Sequence, residues 1–305
     1  MKNEHEIMAR DTASYLPVFS RYPIVLDHGE GSYVWDVNGR KYLDALGGIA
    51  VNVLGHNYVP LVDAIAEQAK RLIHVSNLYY TEPQADAAAK LSALTAGGKV
   101  FFGNSGAEAN EGAIKAARKY GHTIHPEKSQ IITALGSFHG RTLATLTATG
   151  QEKFHKGFEP LPQGFDYVPY NDIAALEARI NENTAAVMLE PIQGEGGIRT
   201  PADGYLQQVR ALCDQYDALL IFDEIQTGMG RTGTFYAYEM YGVTPDIVTL
   251  AKGLAGGVGL MLIFAALGEG RLLIHAPAGL LQVGDLHDPV AGFSLVGAIL
   301  VLGLM

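Results

Sequence analysis

At residues 100–108 the chain reads VFFGNSGAE. The apolar run predicts a buried strand, and Ser105 with Glu108 after it is the pattern of a capping box at the start of a helix. Glycine allows a ligand to approach the backbone, and the exposed amides at a helix start favour an anion. Ser105, Gly106 and Ala107 are therefore candidates for a phosphate-binding site at a strand end. The alternative is that Ser105 only caps the helix.

Strand-like and helix-like segments alternate along the chain from residue 60. The predicted helices are 61–73, 84–94, 107–120 and 204–215, and the predicted strands are 99–102, 130–134, 184–190, 218–223 and 247–251. Such alternation predicts an α/β domain with a mostly parallel sheet, whose ligands bind at the carboxyl ends of the strands. Before it, residues 24–48 alternate short apolar runs with Gly and Asn turns, which predicts an N-terminal β-meander.

The composition of the 305-residue chain favours small-molecule chemistry. Its formal net charge of -10 argues against nucleic acid and against anionic membranes, since both reward basic patches. The opening residues 1–14 lack the apolar run of a secretory signal, so we expect a cytoplasmic location. The one cysteine, Cys213, lies at helical spacing among apolar residues, which predicts a small core residue.

Two ionisable residues directly follow apolar runs. Asp223 ends one predicted strand and Lys252 follows another. A carboxylate at the mouth of a buried strand needs a partner, for which a protonated pyridine nitrogen is suited. A desolvated lysine exposes the neutral amine that forms a Schiff base. Taken alone, each also fits a loop cap or a surface lysine, but together with the phosphate site they are the parts that pyridoxal phosphate requires.

Two further motifs bear on ligand binding. The run from Phe138 to Arg141 supplies a ring that can stack on a planar group and a guanidinium that suits a carboxylate, with a core Phe and a surface Arg as alternatives. Residues 228–233 match the dinucleotide pattern G-x-G-x-x-G, but they begin five residues after Asp223 and no helix-type sequence follows. That pattern is therefore discounted. The ten histidines show no metal-ligand spacing, and no metal is expected.

The chain resembles the class III pyridoxal-phosphate-dependent aminotransferases of fold type I, from about Ser14 to Gly257. The motifs that carry the resemblance are FGNSGAEANE at 102–111, FHGRTL at 138–143, EPIQGEGG at 190–197, FDEIQTG at 222–228 and AKGL at 251–254. GGIAVN at 47–52, followed by Gly55 and His56, is most similar to the acetylornithine branch. Ornithine, succinylornithine and 4-aminobutyrate aminotransferases are the alternatives within the class.

The resemblance implies a function and a set of site residues. Lys252 and Asp223 would be catalytic, and Arg141 and Glu195 would bind the substrate. Binding of pyridoxal 5'-phosphate would fall to eight residues, namely Ser105, Gly106, Ala107, Phe138, His139, Asp223, Gln226 and Lys252. Lys252 would hold the cofactor covalently, Asp223 would pair with its pyridine nitrogen and Gln226 with its hydroxyl. The implied reaction moves an amino group from N-acetylornithine to 2-oxoglutarate in arginine biosynthesis, in a homodimer.

The resemblance stops near Val258. From there to the end the chain contains no Lys, Thr, Asn, Tyr, Trp or Cys, and the family's C-terminal motifs are missing. We therefore expect an N-terminal segment at 1–50, an incomplete cofactor-binding large domain at 51–257, and a hydrophobic tail at 258–305 in which the C-terminal domain is missing or replaced. The hypothesis is an altered reading frame that impairs turnover. The alternative is a non-catalytic relic that binds pyridoxal phosphate or forms dimers.

A membrane-attached protein is a third hypothesis, suggested by the apolar stretch from Pro289 to Met305. That stretch is shorter than the roughly 20 residues needed to span a bilayer, and it carries no Lys or Arg to fix an orientation. No membrane partner is therefore expected.

Overall fold

The computed structural model describes residues 3–95, 97–256 and 262–266. Within these ranges the strands form a three-stranded sheet and a seven-stranded sheet. The strands are β1 Leu26–Glu30, β2 Tyr33–Asp36, β3 Lys41–Leu43, β4 Lys99–Gly103, β5 Gln130–Ala134, β6 Phe165–Val168, β7 Thr184–Leu189, β8 Leu219–Asp223, β9 Ile247–Leu250 and β10 Leu262–Ala266.

Helices connect these strands and cover the large sheet. They are α1 Glu4–Ser14, α2 Gly47–Ala50, α3 Val59–Arg71, α4 Glu82–Leu94, α5 Gly106–Ile124, α6 Leu143–Ala148, α7 Glu152–His155, α8 Ile173–Arg179 and α9 Tyr205–Gln215. Short 3-10 helices lie at Ala237–Tyr241 and Lys252–Ala255.

The strand order of the large sheet is β4-β10-β9-β8-β7-β5-β6. The run from β9 to β6 is parallel throughout, which confirms the predicted α/β fold with a mostly parallel sheet. β10 is antiparallel to both of its neighbours, β4 and β9. The small sheet β1-β2-β3 is antiparallel and is the predicted meander.

Both faces of the parallel strands are buried. On β8, Leu220 and Phe222 belong to a core cluster that includes residues of α4, α8 and α9, whereas Leu219 and Ile221 belong to a second cluster with residues of α5. A strand covered on both faces has no polar side, which is why it reads as a continuous apolar run. Cys213, as predicted, is fully buried in the first cluster.

Helix α5 lies close to the sheet because its inner face is built from small residues. Ala109, Ala113 and Ala117, one helical turn apart, are fully buried. The helix begins at the carboxyl end of β4 and contacts β7, β9 and β10. Its first residues therefore lie at the edge where the strands of the sheet end.

Several elements were not predicted from the sequence. Helix α1 is mostly exposed and charged, and it is started by the Asn3 side chain, which accepts from the amides of His5 and Glu6. β10 lies beyond Gly257, so the large sheet extends into the segment expected to be a separate tail.

The remainder of that segment, with the apolar stretch from Pro289 onward, lies outside the described residues. Over the residues described, no helix combines the length and apolarity that a bilayer span requires.

Candidate active site

A cavity of about 240 Å³ lies where the strands of the large sheet end. All ten residues that the sequence analysis assigned to the site line it: Ser105, Gly106, Ala107, Phe138, His139, Arg141, Glu195, Asp223, Gln226 and Lys252. The cavity is also lined by five residues that were not assigned: Gly140, Glu190, Ile192, Ile225 and Thr227. The fold thus brings together motifs that lie up to 147 positions apart.

Asp223, at the end of β8, is only 4% exposed, and each of its carboxylate oxygens has a hydrogen-bond partner. Its Oδ2 accepts from Asn110 Nδ2 at 2.7 Å and lies 2.8 Å from His139 Nδ1. Its Oδ1 accepts from the Ile225 amide at 3.0 Å. One oxygen therefore caps the following turn, as the alternative interpretation held, while the other is held by two side chains at the cavity wall.

Asn110 was not recognised from the sequence. Its Nδ2 also donates to the His139 carbonyl at 2.7 Å, and its Oδ1 accepts from Thr249 Oγ1 at 2.8 Å. The side chain is fully buried on the second turn of α5 and joins that helix to β8 and β9. A buried amide inside the alanine-rich face was the available signal, because such a group needs partners.

His139 is buried behind Asp223. Besides its ring contact with that carboxylate, its backbone amide donates to Thr149 Oγ1 at 2.9 Å. The other ring nitrogen, Nε2, has no hydrogen-bond partner among the described residues. The position of His139 therefore supports a role in orienting Asp223 in addition to lining the cavity.

Lys252 follows β9 with a left-handed backbone, φ 45°. This conformation is costly for a residue other than glycine and occurs mainly where the surrounding structure imposes it. Burial lowers the pKa of the Lys252 ammonium, although the carboxylates of Asp223, Glu195 and Glu190 act in the opposite direction. A larger fraction of the side chain is therefore the neutral, nucleophilic amine at a given pH.

Glu190 follows β7 and is another residue that the sequence analysis did not assign. It is 7% exposed, and its carboxylate accepts from the amides of Phe138 at 3.1 Å and Gly194 at 3.3 Å. Burial raises its pKa to about 7. Glu190 ended a predicted apolar strand just as Asp223 did, and the same strand-end argument would have found it.

At the start of α5, Ser105 caps the helix as predicted, but the reciprocal half of the predicted capping box is missing. Ser105 Oγ accepts from the Glu108 amide at 3.3 Å, whereas the Glu108 carboxylate accepts from Asn104 rather than from Ser105. A Cβ added to Gly106 would lie 2.9 Å from Ile225 Cδ1. The helix start therefore packs tightly against the turn that follows Asp223.

Arg141 is exposed at the cavity and is held by aromatic rings. Its Cζ lies 4.2 Å from the centre of the Phe154 ring and 5.5 Å from that of Phe138. Among the described residues, the contacts recorded for its guanidinium are with these two rings. Its N–H donors are therefore available to a carboxylate.

Gln226 and Glu195 lie on adjoining loops. A Cβ added to Gly194 would lie 1.9 Å from Gln226 Oε1, so the glycine permits the close approach of the loop that carries Glu195. Glu195 itself is exposed. The arrangement leaves its carboxylate facing solvent at the cavity.

Residues 228–233 are followed by a 3-10 helix and not by the α-helix that a dinucleotide site needs. This agrees with the decision to discount the dinucleotide pattern. The buried Glu224 organises this region by accepting from Thr227 Oγ1 and from the amides of Ala237 and Tyr238, each at 2.8 Å. Burial raises its pKa to about 7.

Known proteins are similar to this chain in sequence and in fold. The profile of the family Aminotransferase class-III matches residues 17–273. The acetylornithine aminotransferase of Caldanaerobacter subterraneus subsp. tengcongensis is 57% identical over 251 residues, which cover 82% of this chain and 64% of that protein. The chain thus spans less than two thirds of the length of that curated relative.

Solved aminotransferase structures share the fold. The ornithine aminotransferase of Toxoplasma gondii, reported with partial occupancy of PLP at its active site, has a TM-score of 0.87 and 31% identity over 99% of this chain and 68% of its own. The N-acetylornithine aminotransferase of Stenotrophomonas maltophilia K279a has a TM-score of 0.72 and 42% identity over 87% of this chain and 65% of its own.

Proposed function

This chain belongs to the class III aminotransferases, and we propose that it transfers the terminal amino group of N-acetylornithine to 2-oxoglutarate with pyridoxal 5'-phosphate, a step of arginine biosynthesis. The observation that carries the proposal is the cavity at the carboxyl edge of the sheet. Its lining includes Lys252, an amine whose pKa is lowered by burial, the Asp223 carboxylate, and the Arg141 guanidinium, which has no ion-pair partner among the described residues. The name of the similar curated proteins supports the choice of donor.

The donor set of the cavity fits pyridoxal phosphate. The first amides of α5, at Gly106 and Ala107, have no acceptor within a helix and suit a phosphate dianion. The Asp223 carboxylate suits a pyridinium and would raise its pKa by about 1 to 3 units. Phe138 offers an aromatic face and Gln226 a donor for the ring hydroxyl. When bound, the cofactor supplies an electron sink for the charge left on a deprotonated carbon.

The residues of the chain have separate tasks in this proposal. Lys252 Nζ would hold the cofactor covalently, and its free amine would move the proton at the substrate carbon. Asp223, held by Asn110 and His139, would keep the pyridine nitrogen of the cofactor protonated. Arg141 binds the α-carboxylate and Glu195 faces the substrate side of the cavity. Ser105 fixes the start of the phosphate-binding helix.

We also propose that the protein is cytoplasmic and that it forms a homodimer. Residues 15–80 expose many large apolar side chains, among which Tyr22, Leu78 and Tyr80 are 84%, 69% and 105% exposed. Apolar surface of this extent is typical of a face that another protein covers. A second copy of the chain is the occupant that we propose.

The test is a turnover assay combined with an absorption spectrum of the full chain reconstituted with pyridoxal phosphate. We expect a coloured protein that converts N-acetylornithine and 2-oxoglutarate to glutamate, at a low rate if the altered reading frame hypothesised from the sequence impairs turnover. A Lys252→Ala variant should show no turnover. A coloured protein without turnover would favour the non-catalytic relic. Turnover with ornithine or 4-aminobutyrate in place of N-acetylornithine would move the chain to another branch of the class.

A further inference from the structure

Phe154 lies beside two residues of the candidate site without lining the cavity itself. Its ring packs edge to face against that of Phe138, with the ring centres 5.9 Å apart. The Arg141 guanidinium contacts both rings and lies closer to that of Phe154. A guanidinium on an aromatic face keeps its N–H donors free in its own plane. The contact therefore orients Arg141 without using the groups that bind a carboxylate.

The backbone that carries Phe154 is anchored to the loop that carries Phe138. The ring nitrogen Nε2 of His155 lies 2.9 Å from the Leu146 carbonyl and 2.7 Å from that of Thr149. Gln151 Nε2 donates to the Ser137 carbonyl at 2.9 Å, directly before Phe138. Helix α7 and the loop therefore form one hydrogen-bonded unit, and the Phe154 ring has a defined place within it.

Arg141 needs such support. It is exposed and has no polar partner in the part of the chain that the structure describes. A long side chain in this situation loses rotamer freedom when a ligand binds. An aromatic surface that restricts the guanidinium beforehand reduces this cost, which is the benefit of preorganisation.

We propose that Phe154 is a positioning residue that holds the Arg141 guanidinium in the orientation that receives the α-carboxylate of the substrate. This inference rests on the proposed function, which assigns carboxylate binding to Arg141. Phe154 acts through Arg141 and has no contact with the reacting atoms. It determines how strongly the site distinguishes a substrate with an α-carboxylate from the same amine without one.

The test compares two amines on the full chain reconstituted with pyridoxal phosphate. N-Acetylornithine carries the α-carboxylate, whereas N-acetyl-1,4-diaminobutane is the same chain without it. The variants are Phe154→Leu, which removes the aromatic face, and Phe154→Tyr, which keeps it. Lys153→Met is the control, because Lys153 Nζ lies 4.7 Å from the same ring and its loss removes a neighbouring charge without altering the contact with Arg141.

We expect Phe154→Leu to raise the KM for N-acetylornithine about 3- to 10-fold with a smaller change in kcat, as the loss of a cation–π contact predicts. The kcat/KM for N-acetyl-1,4-diaminobutane should stay within about twofold, and Phe154→Tyr should restore the wild-type KM. Equal losses for both amines, or no loss for either, would overturn the proposal. So would a Lys153→Met variant with the same KM defect.

A binding measurement separates failure of this inference from failure of the proposed function. Calorimetric titration with glutarate, a dicarboxylate, requires no turnover. We expect Phe154→Leu to weaken glutarate binding about 3- to 10-fold relative to wild type and to Phe154→Tyr, with thermal unfolding confirming that both variants are folded. If the wild type turned over neither amine but this order of affinities held, the positioning role of Phe154 would be supported and the proposed transamination of N-acetylornithine would be contradicted. Identical affinities would refute the positioning role.

Discussion

At the scale of single residues, Lys252 is defined by its strained backbone and by the burial that lowers the pKa of its ammonium. We predict that Lys252→Ala loses covalent attachment of pyridoxal phosphate but still binds it non-covalently, because the start of α5 and Asp223 are unchanged. Borohydride reduction followed by peptide mapping is the measurement, with the exposed Lys156→Ala as the control. A reduced pyridoxyl group on any lysine other than Lys252 would contradict the assignment.

Asp223 differs from an ordinary helix or turn cap by its second oxygen, which Asn110 and His139 hold at the cavity. Asp223→Asn retains the shape but loses the charge that keeps a pyridine nitrogen protonated. We predict that the rate of each half-reaction falls by at least about 100-fold, since the stabilisation is lost in the transition state.

The control for that prediction is Asp246→Asn, which changes another buried aspartate that is bound to Arg210 and to the Leu220 amide. It should lower stability and leave the spectrum of the bound cofactor unchanged. Stopped-flow measurement of the half-reaction rates of both variants tests the prediction. An unaltered rate in Asp223→Asn would reduce Asp223 to a turn cap.

At the scale of elements, the start of α5 combines a structural and a proposed binding role in Ser105. We predict that Ser105→Ala lowers the free energy of unfolding by about 1 kcal/mol, because the Glu108 amide loses its acceptor. Ser105→Asp keeps an acceptor and should retain most of the stability, but its charge would oppose a phosphate. Its affinity for pyridoxal phosphate should therefore fall more than that of Ser105→Ala. Equal affinities would show that the phosphate does not bind there.

The loop after β7 is connected to the loop after β5 through Glu190, which accepts amides from both. Burial raises the pKa of Glu190 from 4.5 to about 7, so the folded protein keeps a proton that the unfolded chain releases as the pH rises above 4.5. The free energy of unfolding is then highest below the unfolded pKa and falls as the pH rises towards 7.

Glu190→Gln should remove the contribution of this group to that pH dependence. We predict that the loss of stability between about pH 4.5 and pH 7 is smaller in the variant, by on the order of 1 kcal/mol. Urea unfolding at both pH values measures it, with the exposed Glu152→Gln as the matched control. If the free energy of unfolding changed equally with pH in wild type and Glu190→Gln, the raised pKa of Glu190 would be contradicted.

At the scale of the whole molecule, the exposed apolar side chains of residues 15–80 are the surface proposed to face a second copy. We predict that Leu78→Glu and Tyr80→Glu shift the protein towards the monomer, because each places a charge where apolar area would be buried. Sedimentation equilibrium over a range of concentrations is the measurement. Phe158→Glu, which alters an exposed apolar residue elsewhere, should leave the equilibrium unchanged.

Much of the fold and of the cavity could be predicted from the sequence because the signals are local. A strand buried on both faces reads as an apolar run, as at 218–223, and the residue that ends it lies at the ligand-binding edge of a parallel sheet. This argument singled out Asp223 and Lys252 as candidates, and their conjunction with the phosphate site and the family resemblance supplied their expected roles. Helix α1 was missed because it buries none of its residues, so no apolar stripe marks it.

What the sequence by itself determined is therefore the alternation of strands and helices and the chemistry at the strand ends. Only the tertiary structure decided which side chains meet there. Asn110 and Asp223 are 113 positions apart, and Arg141 meets Phe154 only because α7 folds back onto its own loop. The insertion of β10 between β4 and β9 is likewise a long-range pairing. Such contacts have no periodic pattern along the chain, because they depend on how packed elements approach one another in space.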